Sequence, residues 1–407
     1  MPISRAALAL TRSAVFTMAV AVAAGAGAPL AAQQPVETRA GAIAAEQAAK
    51  AAALRPYEPA KAEALVMTAQ EFLLASPSGL YPYFASVWSG GGFTLGAGYR
   101  QYYGDDTYWD IKGLYSAKNY QFIEGSTRSP SLAEGRLDAG ISAGWRSAGQ
   151  VAYFGLGSTT TADARTNFGF TQGWVSADLR ARPAPWLVFG IGSGIEDFTL
   201  REGAGDYPSI EEIHTLATAP GLGANPQYLH TVASAGVDRR PSAGYARTGG
   251  LYEIRYHSYR DRDAVYTFDR IDAEIVQHVP ILRETWVLSL HGLLQTTLDG
   301  EVPHFLMPSV GGGSTLRGYD SWRYQDRHAV LMQAEWRWTP NRHGLDMALF
   351  YDAGTVAGTR DGLTLGNLAT DFGIGVRLHS LLATPLRIEL AHGREGTRLV
   401  FSGSAAF

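Results

Sequence analysis

Residues 330–338 read Val-Leu-Met-Gln-Ala-Glu-Trp-Arg-Trp. Val330, Met332, Ala334, Trp336 and Trp338 share one parity, while Gln333, Glu335 and Arg337 share the other. Successive strand side chains point to opposite faces, so this stretch predicts a strand with an apolar, aromatic face and a charged face. A soluble sandwich also alternates, but its outward face is polar and is rarely bordered by so many aromatics. Lipid outside and water inside demand the pattern seen here. It recurs nearby. Leu345, Met347, Leu349 and Tyr351 alternate with Asp346, Ala348, Phe350 and Asp352. Phe372, Ile374, Val376 and Leu378 alternate with Asp371, Gly373, Gly375 and Arg377, and Leu386, Ile388 and Leu390 with Arg387 and Glu389. The fold class predicted is all-β, a transmembrane antiparallel barrel.

Working outward, period-two alternation holds from Leu80 to Phe407 and predicts about sixteen strands, an even number as bacterial barrels show. Their predicted centres lie near Ala85, Gly96, Asp110, Ala139, Tyr153, Trp174, Leu187, His230, Ile254, Ala273, Leu288, Gln333, Ala348, Ile374, Ile388 and Phe401. Residues 103–106, 147–150, 181–185, 239–243, 279–283, 339–344 and 380–385 read as tight turns at one end. The long connections 201–225, 298–325 and 354–370 all fall at the other. That asymmetry predicts periplasmic chain ends and extracellular long loops.

The N-terminal region departs from the pattern. Arg5 and Arg12 precede an apolar, small-residue run over 14–28, and Pro29-Leu30-Ala31-Ala32 leads into Gln33-Gln34. This order is that of a secretory signal peptide, residues 1–32, whose removal takes the net charge of −4 two units lower. Residues 33–79 read as an alanine-rich helical periplasmic linker broken by Pro56 and Pro59, and 80–407 as the barrel. No Lys/Arg cluster suggests a nucleic-acid partner. With no cysteine in the chain, disulfide and thiolate chemistry are excluded. No apolar run after the signal reaches the roughly 20 residues of a spanning helix, which leaves a closed barrel as the membrane solution.

The most specific motif is Gly311-Gly312-Gly313-Ser314-Thr315-Leu316-Arg317-Gly318-Tyr319, in the long connection before the predicted twelfth strand. It resembles the Val-Arg-Gly-Phe/Tyr loop of the BamA/TamA family, the bacterial surface antigen barrels. Gln333-Ala334-Glu335-Trp336-Arg337 is similar to that family's acidic twelfth strand, and Phe350-Tyr351-Asp352-Ala353-Gly354 to its Phe-x-Asp-x-Gly motif. Tyr153-Phe154-Gly155-Leu156-Gly157, followed by Arg165, resembles a mid-barrel segment of shorter members. The resemblance implies that Leu316, Arg317, Gly318 and Tyr319 form a loop lock, with Glu335 and Asp352 as its lumen partners. Physics agrees: parity puts both carboxylates inside, and a guanidinium offers several fixed donors and stays charged. Gly318 lets the loop turn and approach the wall. Lumen charges of any porin also pair with whatever is near, and that alternative is the plainer one.

At the C-terminus Leu399, Phe401, Gly403, Ala405 and Phe407 share the apolar parity. Phe401 and Phe407 resemble the terminal signal read by the outer-membrane assembly machinery, with Ala405 where a second aromatic often stands. The resemblance also implies a weakly paired seam between last and first strands, near Gly403 and Gly90-Gly91-Gly92. Residues 33–79 offer too little chain, and no strands, for the family's POTRA domains. The expectation is a short member lacking them.

The implied function is outer-membrane biogenesis, protein insertion or translocation through the seam, in a Gram-negative outer membrane. The implied partners are outer-membrane lipid, the assembly machinery and an unidentified client. The alternative is a passive channel or structural barrel. His214, His230, His257, His278 and His291 with Ser289 lack any nucleophile signature, so no enzyme and no catalytic residue is expected. Asp105-Asp106 and Asp261–Asp263 lack calcium-loop spacing and read as turns, so neither metal nor cofactor is expected. Ser209-Ile210-Glu211-Glu212 reads as a capping box opening a short surface helix.

Overall fold

The computed structural model describes residues 43, 45–47, 78–282, 285–340, 344–380, 384–403 and 405–407. The expected signal peptide (1–32) lies outside the described residues, and so does most of the expected linker (33–79), apart from helical Ile43 and Ala45–Gln47, Ser78, and Gly79, which opens the first strand.

Sixteen strands form one antiparallel sheet in chain order. They are β1 (Gly79–Pro82), β2 (Thr94–Tyr102), β3 (Tyr108–Ser116), β4 (Gln121–Ser131), β5 (Leu137–Tyr153), β6 (Thr166–Ala184), β7 (Leu187–Glu202), β8 (Gln227–Asp238), β9 (Gly249–Asp261), β10 (Phe268–Leu282), β11 (Trp286–Gly300), β14 (His328–Trp338), β15 (Leu345–Ala357), β16 (Ala369–Leu378), β17 (Leu386–Gly393) and β18 (Gly396–Ser402). A two-residue ribbon, β12 (Ser309–Val310) with β13 (Tyr324–Gln325), forms inside the long β11–β14 connection. No helix among the described residues is long and apolar enough to cross a membrane.

The sheet is inverted relative to a soluble protein. Met332, Trp336, Leu349, Ile374, Leu390 and Phe401 are all exposed, while their neighbours Gln333, Glu335, Asp352, Arg377 and Glu389 are buried. The register makes these faces continuous: Trp336 lies opposite both Leu288 and Leu349, and Ile374 opposite Leu349 and Leu390. Apolar residues so aligned form a lipid-facing band, and the buried polar face lines the lumen. Among the described residues the first and last strands are not paired with each other: β1 joins only β2, and β18 joins only β17. They nevertheless approach, since a Cβ on Gly403 would sit 3.3 Å from the Phe84 carbonyl oxygen.

The predicted centres leave no strand between Asp110 and Ala139, but residues 121–131 form β4, paired with both β3 and β5. Their Gly-Ser-Thr-rich sequence gives little apolar alternation, and only the neighbouring ladders hold them extended. Conversely, Ala139 and Tyr153 belong to one strand, β5, and the expected turn at 147–150 is a bulge between Ala148 and Val151. The bulge keeps pairing with β6, and the Gly149 carbonyl accepts the Ala204 N–H at 2.7 Å. The two errors cancel in the strand count. The first strand is β1, earlier and shorter than an expected centre at Ala85.

Phe407 also departs from its expected place on the lipid face. β18 stops at Ser402, and the Phe407 ring stacks on His291 at 5.0 Å, inside the lumen rather than on the lipid face. β1 offers only four residues, so no partner extends the last strand, and the chain end turns inward to cover its ring. Phe401 keeps the lipid-facing position.

Candidate functional site

The β11–β14 connection enters the barrel. At its start Gly311 and Gly312 take left-handed backbone (φ 127° and 102°), which glycine adopts freely. The chain then folds over Leu316 and Tyr319, both buried in a small apolar cluster with Val310, Tyr324, Leu331 and Val356. Between them Arg317 is fully buried and points at the wall.

Arg317 grips Asp352 with two parallel bonds: Nε donates to Oδ2 at 2.7 Å and Nη2 to Oδ1 at 2.7 Å. Its Nη1 donates to Glu335 Oε2 at 3.2 Å and to Glu389 Oε1 at 2.9 Å. The guanidinium also lies 3.5 Å from the Phe350 ring centroid, adding a cation–π contact. Burial disfavours the Arg317 charge, but Asp352, Glu389 and Glu335 outweigh burial and hold it above its ordinary range. The strands bring the carboxylates together through register: Gln333 lies opposite Asp352, so Glu335 stands diagonally across from it.

The wall supplies compensating cations. Arg377 bonds Glu335 and, at 2.7 Å, Glu389; Arg387 lies 3.3 Å from Glu389. Arg387 Nη2 also donates to the Gly313 carbonyl at 2.8 Å, and Gln333 Nε2 to the Thr315 carbonyl at 2.8 Å. The loop is thus held by its backbone as well as by its arginine. Desolvated charges need such opposite partners.

Gly318 acts by proximity rather than by turning. A Cβ there would sit 2.6 Å from the Asp371 Cβ and 2.8 Å from the Gly393 nitrogen, so only glycine lets the loop lie this close. Tyr319 donates its hydroxyl to the Thr370 carbonyl at 3.1 Å. All four loop-motif residues and both expected partners therefore meet in one place. Sequence reading missed Glu389, Arg377 and Arg387, whose inward parity was visible but whose proximity to Arg317 depends on strand register.

Further along, Arg323 fastens the loop to the barrel rim. It donates from Nε to Glu395 at 2.8 Å and from Nη1 to Thr160 Oγ1 at 2.8 Å, and it lies over Phe154 at 4.9 Å. The Tyr153–Gly157 motif therefore meets the loop, and Gly157 N–H donates to the Gln325 carbonyl at 2.9 Å. Trp322 stacks on Trp88 at 5.5 Å and donates Nε1–H to the Ser89 carbonyl at 3.2 Å. The loop so touches both sheet edges, reaching Glu395 beside β18 and Ser89 before β2.

The histidines and acids considered above lie elsewhere. His278 Nδ1 faces Ser289 Oγ at 2.8 Å and Arg337 Nη2 at 2.9 Å, so an arginine donor occupies the nitrogen a base would need. Asp261 accepts the N–H groups of Val265 and Tyr266 at 3.1 and 3.0 Å, closing its own turn. No cluster of metal-ligating side chains occurs among the described residues. Ser209 precedes the short helix Ile210–Ile213, and Glu212 accepts its N–H at 2.9 Å.

Residues 264–402 match the Omp85 superfamily domain, a span that contains the loop motif and all of its carboxylate partners. No curated protein matches the chain in sequence. Among solved structures, BamA from Haemophilus ducreyi lacking POTRA domains 1–3 superposes with a TM-score of 0.56 at 16% identity, covering 79% of this chain and 69% of that one. CdiB from Escherichia coli gives 0.54 at 10% identity over 80% of this chain, and CdiB from Acinetobacter baumannii 0.52 at 12% over 80%. The chain spans 63% and 57% of those two CdiB chains. These likenesses concern the fold. Residues 264–402 thus carry an Omp85 superfamily domain match, within a sheet that shares the β-barrel fold of BamA and CdiB.

Proposed function

We propose that this barrel serves outer-membrane biogenesis, passing a protein client into or across the membrane at the seam between β18 and β1. The observation that carries the reading is the unpaired edge. Among the described residues β18 pairs only with β17, while β1 contributes four residues ending in Pro82, which has no N–H to donate. A strand edge in lipid leaves backbone groups unsatisfied, so it favours pairing with an incoming strand. Strand addition of this kind gives affinity through main-chain bonds and needs no covalent chemistry. The same reading places both chain ends in the periplasm and assigns no enzymatic step. The Arg317 loop supports it by filling the lumen, which leaves the seam as the route.

A passive channel is the second reading, favoured by a polar cavity of about 330 Å³ beside β6–β9, lined by Ser176, Asp178, Glu196, His230, Ser234 and Arg255. One experiment separates the two. The chain has no cysteine, so a Phe84→Cys/Gly403→Cys pair forms the sole disulfide and staples the seam. Insertion of a test β-barrel client into liposomes is then followed with the staple closed and open. Loss on oxidation with recovery on reduction is the expected result. Insertion at the spontaneous rate in both states favours the channel.

A further inference from the structure

The Arg317 loop is not alone inside the barrel. The connection 239–248, between β8 and β9, lies at the opposite end, where β1 starts and β18 stops. It does not simply turn back. Tyr245 crosses the mouth to donate its hydroxyl to Asp346 Oδ2 of β15 at 2.7 Å, and its ring stacks on His379 at 3.9 Å. Arg247 Nη2 donates to Thr339 Oγ1 at 2.8 Å, and the Gly244 carbonyl accepts from Thr384 Oγ1 at 3.1 Å. Tyr245 and Ala246 are 6% and 5% exposed, which is unusual for the tip of a barrel turn. Burial pushes the Tyr245 phenol up to about 12, so it remains a donor.

One strand joins the two ends. Glu335 of β14 receives Arg317 from the long loop, and Arg337, two residues on and facing the same way, donates from Nη2 to the Ala246 carbonyl at 2.7 Å. Arg337 Nε lies 3.6 Å from Glu335 Oε1. A run of polar contacts therefore links Arg317 through Glu335 and Arg337 to the Ala246 carbonyl.

We propose that the 239–248 connection is a second plug of the lumen, coupled to the Arg317 loop through the Glu335–Arg337 pair. The inference rests on reading the Arg317 loop as a lumen closure but not on any client, so it stands or falls apart from insertion activity. The barrel then opens as a pore only when both plugs yield, and releasing one loosens the other.

The test uses the full refolded chain in planar bilayers and in amide exchange. Arg317→Ala alone is expected to leave conductance at less than half the value reached when Tyr245→Ala and Arg247→Ala are added. Tyr245→Phe keeps the ring stack and tests the hydroxyl alone, with a smaller expected rise. Should the alanine variants fail to fold, a Gly244→Cys/Thr384→Cys pair in the Arg317→Ala barrel serves instead, with conductance rising severalfold on reduction. For the coupling, exchange at residues 245–247 is expected to quicken at least tenfold in Arg317→Ala. An Arg317→Ala barrel already fully conducting and indifferent to residue 245 or to the disulfide overturns the plug. Unchanged exchange at 245–247 overturns the coupling.

Discussion

Arg317 and Asp352 meet as fork to fork, with Nε and Nη2 of the guanidinium each 2.7 Å from one oxygen of the carboxylate, and both residues fully buried. A lysine presents one compact charge and cannot reproduce two parallel bonds. Glu335 and Glu389 share the same arginine but keep Arg377, so removing Arg317 leaves Asp352 as the buried carboxylate without its guanidinium.

Arg317→Ala is therefore expected to cost about 3–5 kcal/mol of loop anchoring, the range for breaking a buried pair from one side. Arg317→Lys should fall between wild type and alanine. Planar-bilayer conductance reads this directly: a low, unstable wild-type current should rise in Arg317→Ala. A large steady current in the wild type that ignores the substitution sinks the lock.

Gly318→Ala should displace the loop without touching a charge. The added methyl meets Asp371 and the Gly393 backbone at under 3 Å, and only movement relieves it. Overpacking of this kind costs about 1–3 kcal/mol. Faster amide exchange over residues 315–319, with strand exchange unchanged, is the expected signature. Wild-type exchange there would show that the wall yields instead.

His304 gives the outer loops a pH dependence. It is buried among Tyr153, Phe168 and Phe305, and its Nδ1 donates to the Pro220 carbonyl at 3.0 Å. Its Nε2 has no partner, so a proton there is an unpaired charge in an apolar cluster. Desolvation accordingly lowers its pKa to about 4. The folded loop stays neutral where the opened loop takes up a proton, so this stabilisation is complete above about pH 6.5 and is lost as pH falls toward 4. The loss reaches roughly 3 kcal/mol at the acid end. Exchange around residues 303–307 should quicken through that window, and His304→Gln should flatten the profile. A flat wild-type profile contradicts the assignment.

The lipid-facing band predicts an asymmetry between neighbours. Ile374 is 58% exposed near the middle of β16, flanked by Leu349 and Leu390. Ile374→Arg should cost about 2–4 kcal/mol in a bilayer, as charges at mid-depth of a barrel do. Urea unfolding from vesicles measures it. An Ile374→Arg barrel as stable as wild type would place that face away from lipid.

Much of this molecule is legible in the chain because strand parity is local. Whether Glu335 or Trp336 faces lipid follows from spacing alone, and so do the inward positions of Arg317's two expected partners once their strands are recognised. The loop motif was visible for the same reason, being a contiguous run of glycines, an arginine and an aromatic. β4 escaped notice because Gly125, Ser126 and Thr127 carry no apolar signal, and its extension comes from ladders with β3 and β5. The bulge at Ala148 reads as a turn until its partner strand is known.

What the sequence by itself determined is therefore the two-faced wall, the class of fold and the loop that carries Arg317. Only the tertiary structure decided that Glu389, Arg377 and Arg387 complete the arginine's surroundings, that Tyr245 crosses the opposite mouth and that Phe407 turns inward. Each of these depends on register and curvature summed over many strands. A one-residue slip in any ladder exchanges the lumen and lipid faces of the strand beyond it, so such contacts are properties of the whole sheet and not of any segment within it.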